Sequence, residues 1–133
     1  YVGAVKGALT NQGPSQLNIT DISHAINAYD IKQAAFCLYN AYHTFPEKTI
    51  FIIIVDPGVG TNREALLLKT KHYSFIAPNN GVLSHICHDH NFEAFTINID
   101  QLPNKVCHTF HGRDVFSPVA AKLASNTLPK HWL

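Results

Sequence analysis

In Ile50-Phe51-Ile52-Ile53-Ile54-Val55-Asp56-Pro57-Gly58-Val59-Gly60-Thr61-Asn62-Arg63, six consecutive large apolar residues run straight into an aspartate, a proline and two glycines. The run, extended back to Thr49, is almost entirely β-branched or aromatic, which favours strand over helix. A continuous apolar run this short is the pattern of a central strand buried on both faces. Such strands belong to α/β domains, where binding sites gather at the carboxyl ends of the strands. Pro57, Gly58 and Gly60 predict a tight turn that lets a ligand approach the main chain closely. Asp56 and Arg63 stand on either side of that turn and can fold back towards each other. An arginine beside an aspartate keeps it ionised and can orient water or a polar substrate group. The same pattern also serves a strand-ending turn with a structural ion pair. It is not a phosphate-binding loop, because it lacks the Lys-Ser/Thr ending and the glycine spacing.

On either side of this stretch, apolar clusters alternate between strand and helix periods. Gln16 to Ile22 reads as a short strand with Leu17 and Ile19 on one face. Asp30 to Phe45 reads as a helix: Asp30 and Gln33 form a capping-box pattern, and Pro46 stops it. Ile31, Ala34, Ala35, Leu38, Ala41, Tyr42 and Phe45 form its apolar stripe. Ala65 to Thr70 and Tyr73 to Ala77 predict two further strands, Val82 to His90 a short helix, and Glu93 to Ile99 another strand. Ser117-Pro118 offers an N-cap with proline in the first turn, and Val119 to Ser125 continues as helix. The order β-α-β-β-β-α-β-α predicts an α/β domain whose mixed, largely parallel sheet is flanked by helices.

The 133 residues suffice for one domain and one sizeable core, and at 46% hydrophobic the chain is not disordered. A net charge of +1 with neutral histidines gives no electrostatic footprint for nucleic acid or an anionic membrane. No apolar run approaches the roughly 20 residues that span a bilayer, and no signal peptide is visible. Cys37, Cys87 and Cys107 match no zinc or redox spacing, so they are expected to be reduced thiols in a cytoplasmic protein. The opening at Tyr1 and the lack of any methionine point to a fragment.

Three other places could carry chemistry. Thr109-Phe110-His111-Gly112-Arg113-Asp114 crowds a histidine, an arginine and an aspartate ahead of a helix. A histidine there could move a proton or hydrogen-bond a nucleophile; alternatively Asp114 caps the helix and Arg113 is solvated. Ala77-Pro78-Asn79-Asn80-Gly81 is turn chemistry in which an Asn amide could read a polar ligand edge. His85, Cys87, His88, Asp89 and His90 invite a metal, but no distant fourth ligand is evident and a solvated helix face accounts for them better. Tyr29, just before the long helix, suits core packing or a stacking platform for a planar ligand.

Taken in order, Tyr1-Val2-Gly3 with Lys6-Gly7, Asp21-Ile22-Ser23-His24, Phe45-Pro46, Asp56-Pro57-Gly58-Val59-Gly60-Thr61 with Arg63, Ala77-Pro78-Asn79-Asn80-Gly81, and Thr109-Phe110-His111-Gly112-Arg113-Asp114 closely resemble the adenosine-forming S-adenosylmethionine hydrolase family. That family is related to the fluorinase and chlorinase halogenases. The resemblance runs through essentially the whole chain, and its second and last glycine-rich motifs are highly specific together.

The resemblance implies a catalytic trio of Asp56, Arg63 and His111, with water or hydroxide attacking the ribose C5′ of S-adenosyl-L-methionine to give adenosine and L-methionine. It implies no metal and no cofactor beyond that small-molecule substrate. Halogenases carry tyrosine where this chain has Asp56, and a carboxylate would repel a halide, so Asp56 favours water. Tyr29 falls where a relative stacks an aromatic ring on the nucleoside, and Asn80 lies near the same pocket; both are expected to bind substrate. Residues 1–133 then correspond to the N-terminal α/β catalytic domain without the family's first strand and C-terminal β domain. In the family the pocket forms between neighbouring subunits, usually of a homotrimer. A halogenase-like adenosyl transferase and a non-catalytic adenosine- or S-adenosylmethionine-binding module are the competing readings.

Overall fold

The computed structural model describes residues 1–133 as three layers, with a four-stranded sheet between two pairs of helices. The elements are α1 (Val2–Gln12), α2 (Ile31–Ala41), β1 (Ile50–Ile52), β2 (Ala65–Thr70), β3 (Ser74–Pro78), α3 (Ser84–Asp89), β4 (Phe92–Thr96), a π turn (Gly112–Phe116) and α4 (Ser117–Ala124). The strand order is β1-β3-β2-β4. β1 runs parallel to β3, with Phe51 opposite Phe75, while β2 is antiparallel to both β3 and β4. The expected mixed sheet flanked by helices is present, but it is not largely parallel: one pairing is parallel and two are antiparallel, because β2 turns straight back into β3 through a short connection and β4 then runs beside β2 in the direction of β3.

Side-chain alternation splits the core in two. Phe51, Ile53, Leu68, Phe75 and Ala77 face α2 and α3, meeting Ala34, Ala35, Leu38 and Ile86. Ala65, Leu67 and Ile76 face the other way, against Leu9 of α1, Val115 and Phe116 of the π turn, and Val119 and Ala120 of α4. Burial on both faces requires strands without a polar stripe, which is why the β1 run is continuously apolar. That run is nonetheless an edge strand rather than the central one: its only ladder partner is β3. Helices cover both faces of an edge strand in this layering, so the apolar pattern reports coverage and says nothing of position in the sheet. Ile54, past the last paired residue, is 44% exposed.

One half of the α2 capping box is built as its sequence predicts and the other is displaced. Asp30 accepts from the Gln33 amide at 2.9 Å, and Gln33 Oε1 accepts from the Asn27 amide at 2.6 Å, so the reciprocal bond reaches three residues further back. Two further expectations fail. Gln16 to Ile22 forms no strand; Leu17 and Ile19 pack on the α1–α4 side of the core, but no neighbouring strand pairs with the segment. Ser117 is not an N-cap, because the helical run already starts in the π turn and Ser117 Oγ donates to the Gly112 carbonyl at 2.7 Å. α1 has no counterpart in the sequence reading. No helix is long and apolar enough to cross a membrane.

Candidate active site

Where β1 stops pairing, the chain turns through Asp56 to Arg63 and comes back as β2. Arg63 grips Asp56 with two parallel donors: Nε to Oδ1 at 2.8 Å and Nη2 to Oδ2. The Asp56 and Arg63 side chains are only 6% and 9% exposed, so the pair works in a poorly solvated setting where ionic hydrogen bonds are strong. Thr61 Oγ1 donates to the Gly58 carbonyl at 2.7 Å and tightens the turn.

The turn leans on the segment that carries His111. Gly60 has φ +76°, and a Cβ there would lie 2.5 Å from the His108 carbonyl oxygen. An L-residue in that region costs about 1–2 kcal/mol before any clash is counted. Gly60→Ala is therefore expected to lower the melting temperature and push the His108 segment, with His111, away from the turn. A thermal melt together with an amide NMR spectrum of residues 107–112 checks this; unchanged spectra would refute it.

His111 opens the π turn and is 5% exposed. Its Nδ1 lies 2.8 Å from Arg63 Nη2. A guanidinium has no acceptor, so Nδ1 takes the hydrogen bond and the proton of the neutral ring sits on Nε2. Burial first, and the Arg63 charge second, push the His111 pKa below the ordinary histidine value. Both states are neutral at this position above the ordinary histidine pKa. As pH falls below it, the unfolded chain takes up a proton that the folded chain refuses, and stability is lost down to the folded pKa. Urea unfolding at about pH 7.5 and about pH 5 should show this loss, and His111→Asn should make it smaller. An equal loss in the variant would refute the assignment.

Arg63 thus links Asp56 to His111, and its guanidinium carbon stands 5.7 Å from the Phe116 ring centroid. One group in this constellation is left over. Arg63 Nη1 is buried with no hydrogen-bond partner, alone among the buried side-chain nitrogens and oxygens of the chain. Buried donors in native proteins are normally paired, which makes Arg63 Nη1 the one donor of this constellation that its protein neighbours leave unengaged.

The other expected residues lie differently. Asn80 is next to the trio in the fold, but its amide is engaged by main chain: Nδ2 donates to the Val55 carbonyl at 2.8 Å, and Oδ1 accepts from the Val82 amide at 3.1 Å. Tyr29 is 74% exposed with φ +67°, and its ring touches no other aromatic ring. Core packing is thereby excluded for it, while stacking on a planar ligand is left open. Asp114 accepts from the Cys107 amide at 2.9 Å, and Arg113 is forked onto the same carboxylate rather than solvated alone. That closes the segment around His111. On α3, His88 pairs with Asp89, and just past its end His90 bonds Tyr42; no group of three His, Cys, Asp or Glu is placed to hold a metal ion. The three cysteines are free.

A family model described as "SAM hydroxide adenosyltransferase N-terminal domain" matches residues 1–132. The chain is 34% identical over 130 residues to the (R)-S-adenosyl-L-methionine hydrolase of Methanocaldococcus jannaschii, covering 95% of this chain and 49% of that protein. A fluorinase of Nocardia brasiliensis is 26% identical, over 93% of this chain and 49% of its own length. The crystal structure of an uncharacterized conserved protein from Thermotoga maritima superposes with a TM-score of 0.89 at 38% identity, covering 97% of this chain and 50% of that one. The chain spans about half the length of the curated relatives it matches.

Proposed function

The chain belongs to the SAM hydroxide adenosyltransferase N-terminal domain family, and from that premise we propose that it activates the nucleophile in the hydrolysis of S-adenosyl-L-methionine. The oxygen of water or hydroxide attacks ribose C5′, the C5′–S bond breaks, and its electron pair stays on sulfur. Methionine leaves as a neutral thioether, adenosine keeps the new C5′–O bond, and one proton from water goes to solvent. The sulfonium is already a good leaving group, so the protein's task is to hold and orient the oxygen.

The orphaned Arg63 Nη1 is the observation that carries this reading. It is a buried cationic donor with no partner, beside a carboxylate that rejects anionic halide and still has lone pairs for a water O–H. Asp56 sets Arg63, Arg63 presents Nη1 to the oxygen, and His111 completes the cradle as a neutral ring protonated on Nε2. Because Arg63 occupies Nδ1, His111 is a poor proton acceptor in this arrangement, and its Nε2–H is left to donate to the oxygen of a water whose own O–H Asp56 accepts. The exposed Tyr29 ring is suited to stack on the nucleoside. The reading also has residues 1–133 act as the N-terminal domain of a longer cytoplasmic enzyme, whose pocket is completed by a C-terminal β domain of a neighbouring subunit in a homotrimer.

The test is incubation with S-adenosyl-L-methionine, following adenosine and methionine by chromatography. It is run on this chain and on a form extended to the length of the relatives. Equimolar products are expected from the extended form. A halogenated nucleoside formed in the presence of halide would replace hydrolysis by halogenation. Tight nucleoside binding with no product from the extended form would leave a binding module.

A further inference from the structure

The turn that bears Asp56 and Arg63 is held at both ends by two adjacent asparagines, and we propose that this Asn79–Asn80 pair is a clamp that positions the trio, with Asn80 as its principal member. The β1–β3 pairing ends at Ile52 opposite Ile76, and the last main-chain bond, from the Ile53 amide to the Ile76 carbonyl, is 2.9 Å. Beyond it the chain would be free to splay from the sheet. Val55, immediately before Asp56, is caught instead by Asn80 Nδ2 on its carbonyl at 2.8 Å. Asn80 cannot swing away, because Oδ1 is held by the Val82 amide.

The other end of the turn is treated alike. Glu64, immediately after Arg63, receives two bonds from Asn79: main-chain amide to carbonyl at 2.8 Å, and Nδ2 to Oε2 at 2.9 Å. Thr96 Oγ1 adds a third to the same carboxylate at 3.3 Å. Two neighbouring residues on the loop after β3 therefore fix the residues flanking both members of the Asp56–Arg63 pair. An asparagine suits this work because its amide donates and accepts at once within a rigid plane. Asn80 has more to do than Asn79: the Val55 carbonyl is reached by a side chain, whereas Glu64 keeps a main-chain bond whatever stands at position 79.

For its catalytic consequence the inference rests on the hydrolase reading; for its geometry it does not. Asn80→Ser keeps an oxygen that can accept from the Val82 amide but is too short to reach Val55. Two measurements decide the matter. In this chain, titration of the His111 imidazole by NMR should move up towards the ordinary histidine range in Asn80→Ser, as Arg63 loosens and water enters, with the thermal melt little changed. Asn79→Ala should move it less. An unmoved His111 titration, or a larger shift from Asn79→Ala, would overturn the assignment. In the extended form acting on S-adenosyl-L-methionine, Asn80→Ser should lower kcat by about 10- to 100-fold with KM within about threefold. A raised KM with intact kcat would make Asn80 a substrate reader instead. If the unsubstituted protein shows no turnover, the hydrolase reading fails while the titration still decides the clamp.

Discussion

On the proposed hydrolase reading, Asp56→Asn in the extended form is expected to lower adenosine release by at least about 10²-fold while leaving the domain folded. The amide keeps one oxygen for Arg63 Nε, but its NH2 group then faces the Nη2 donor that Asp56 Oδ2 now accepts. Two donors cannot share that contact, so the guanidinium must turn. With it go the bond to His111 Nδ1 and the aim of the free Nη1. The cost to stability is expected to be modest, about 1–3 kcal/mol for one mispaired buried donor. Single-turnover product formation and a thermal melt on the same preparation check both halves. Turnover within twofold of the unsubstituted enzyme would remove Asp56 from the mechanism.

Arg63→Met is expected to be the most damaging single change to stability. It leaves a carboxylate that is 6% exposed without either of its strong donors. Removing one partner of a buried pair costs about 3–5 kcal/mol, against a total domain stability of about 5–15 kcal/mol. The double variant Asp56→Leu with Arg63→Met should recover most of that loss, because apolar residues of similar volume often replace a buried ion pair at little cost. It should also be inactive. Urea unfolding of the four proteins of this cycle separates the coupling from the single effects. An Arg63→Met variant as stable as the parent would mean that the pair is more solvated than described.

The parts of this fold that were legible in the sequence are those whose signal is local. β2 lies where its apolar run lies, and α2 begins at the aspartate that caps it. The return of Arg63 onto Asp56 follows from a short glycine-rich turn between them. α1 was invisible because Val2, Gly3, Val5 and Gly7 are poor helix formers and only Leu9 is buried. Gln16 to Ile22 misled for the opposite reason. Its alternation records real burial of Leu17 and Ile19, but burial alone does not supply a partner strand.

The meeting of His111 with Arg63, 48 residues away, has no local signature at all. Periodicity places residues on one element; it cannot bring two loops together, and only the likeness to a known family joined them in advance. The Asn79–Asn80 clamp was half legible. Pro78-Asn79-Asn80-Gly81 announces a turn, while the distant carbonyls that the amides seek are set by the strand order.

The π turn at Gly112–Phe116 gives the helical run at the end of the chain a step in its winding. A regular α-helix advances by about 100° per residue, so one extra residue in a turn rotates everything before it relative to everything after it by that angle. Val119 and Ala120 thus point into the sheet on one side of the step while His111 points at Arg63 on the other. Pro118, which has no N–H to give to the preceding turn, stands where the winding returns to normal. The wide turn works as a phase shifter: the core fixes the bearing of α4, and the inserted residue sets the bearing of the imidazole.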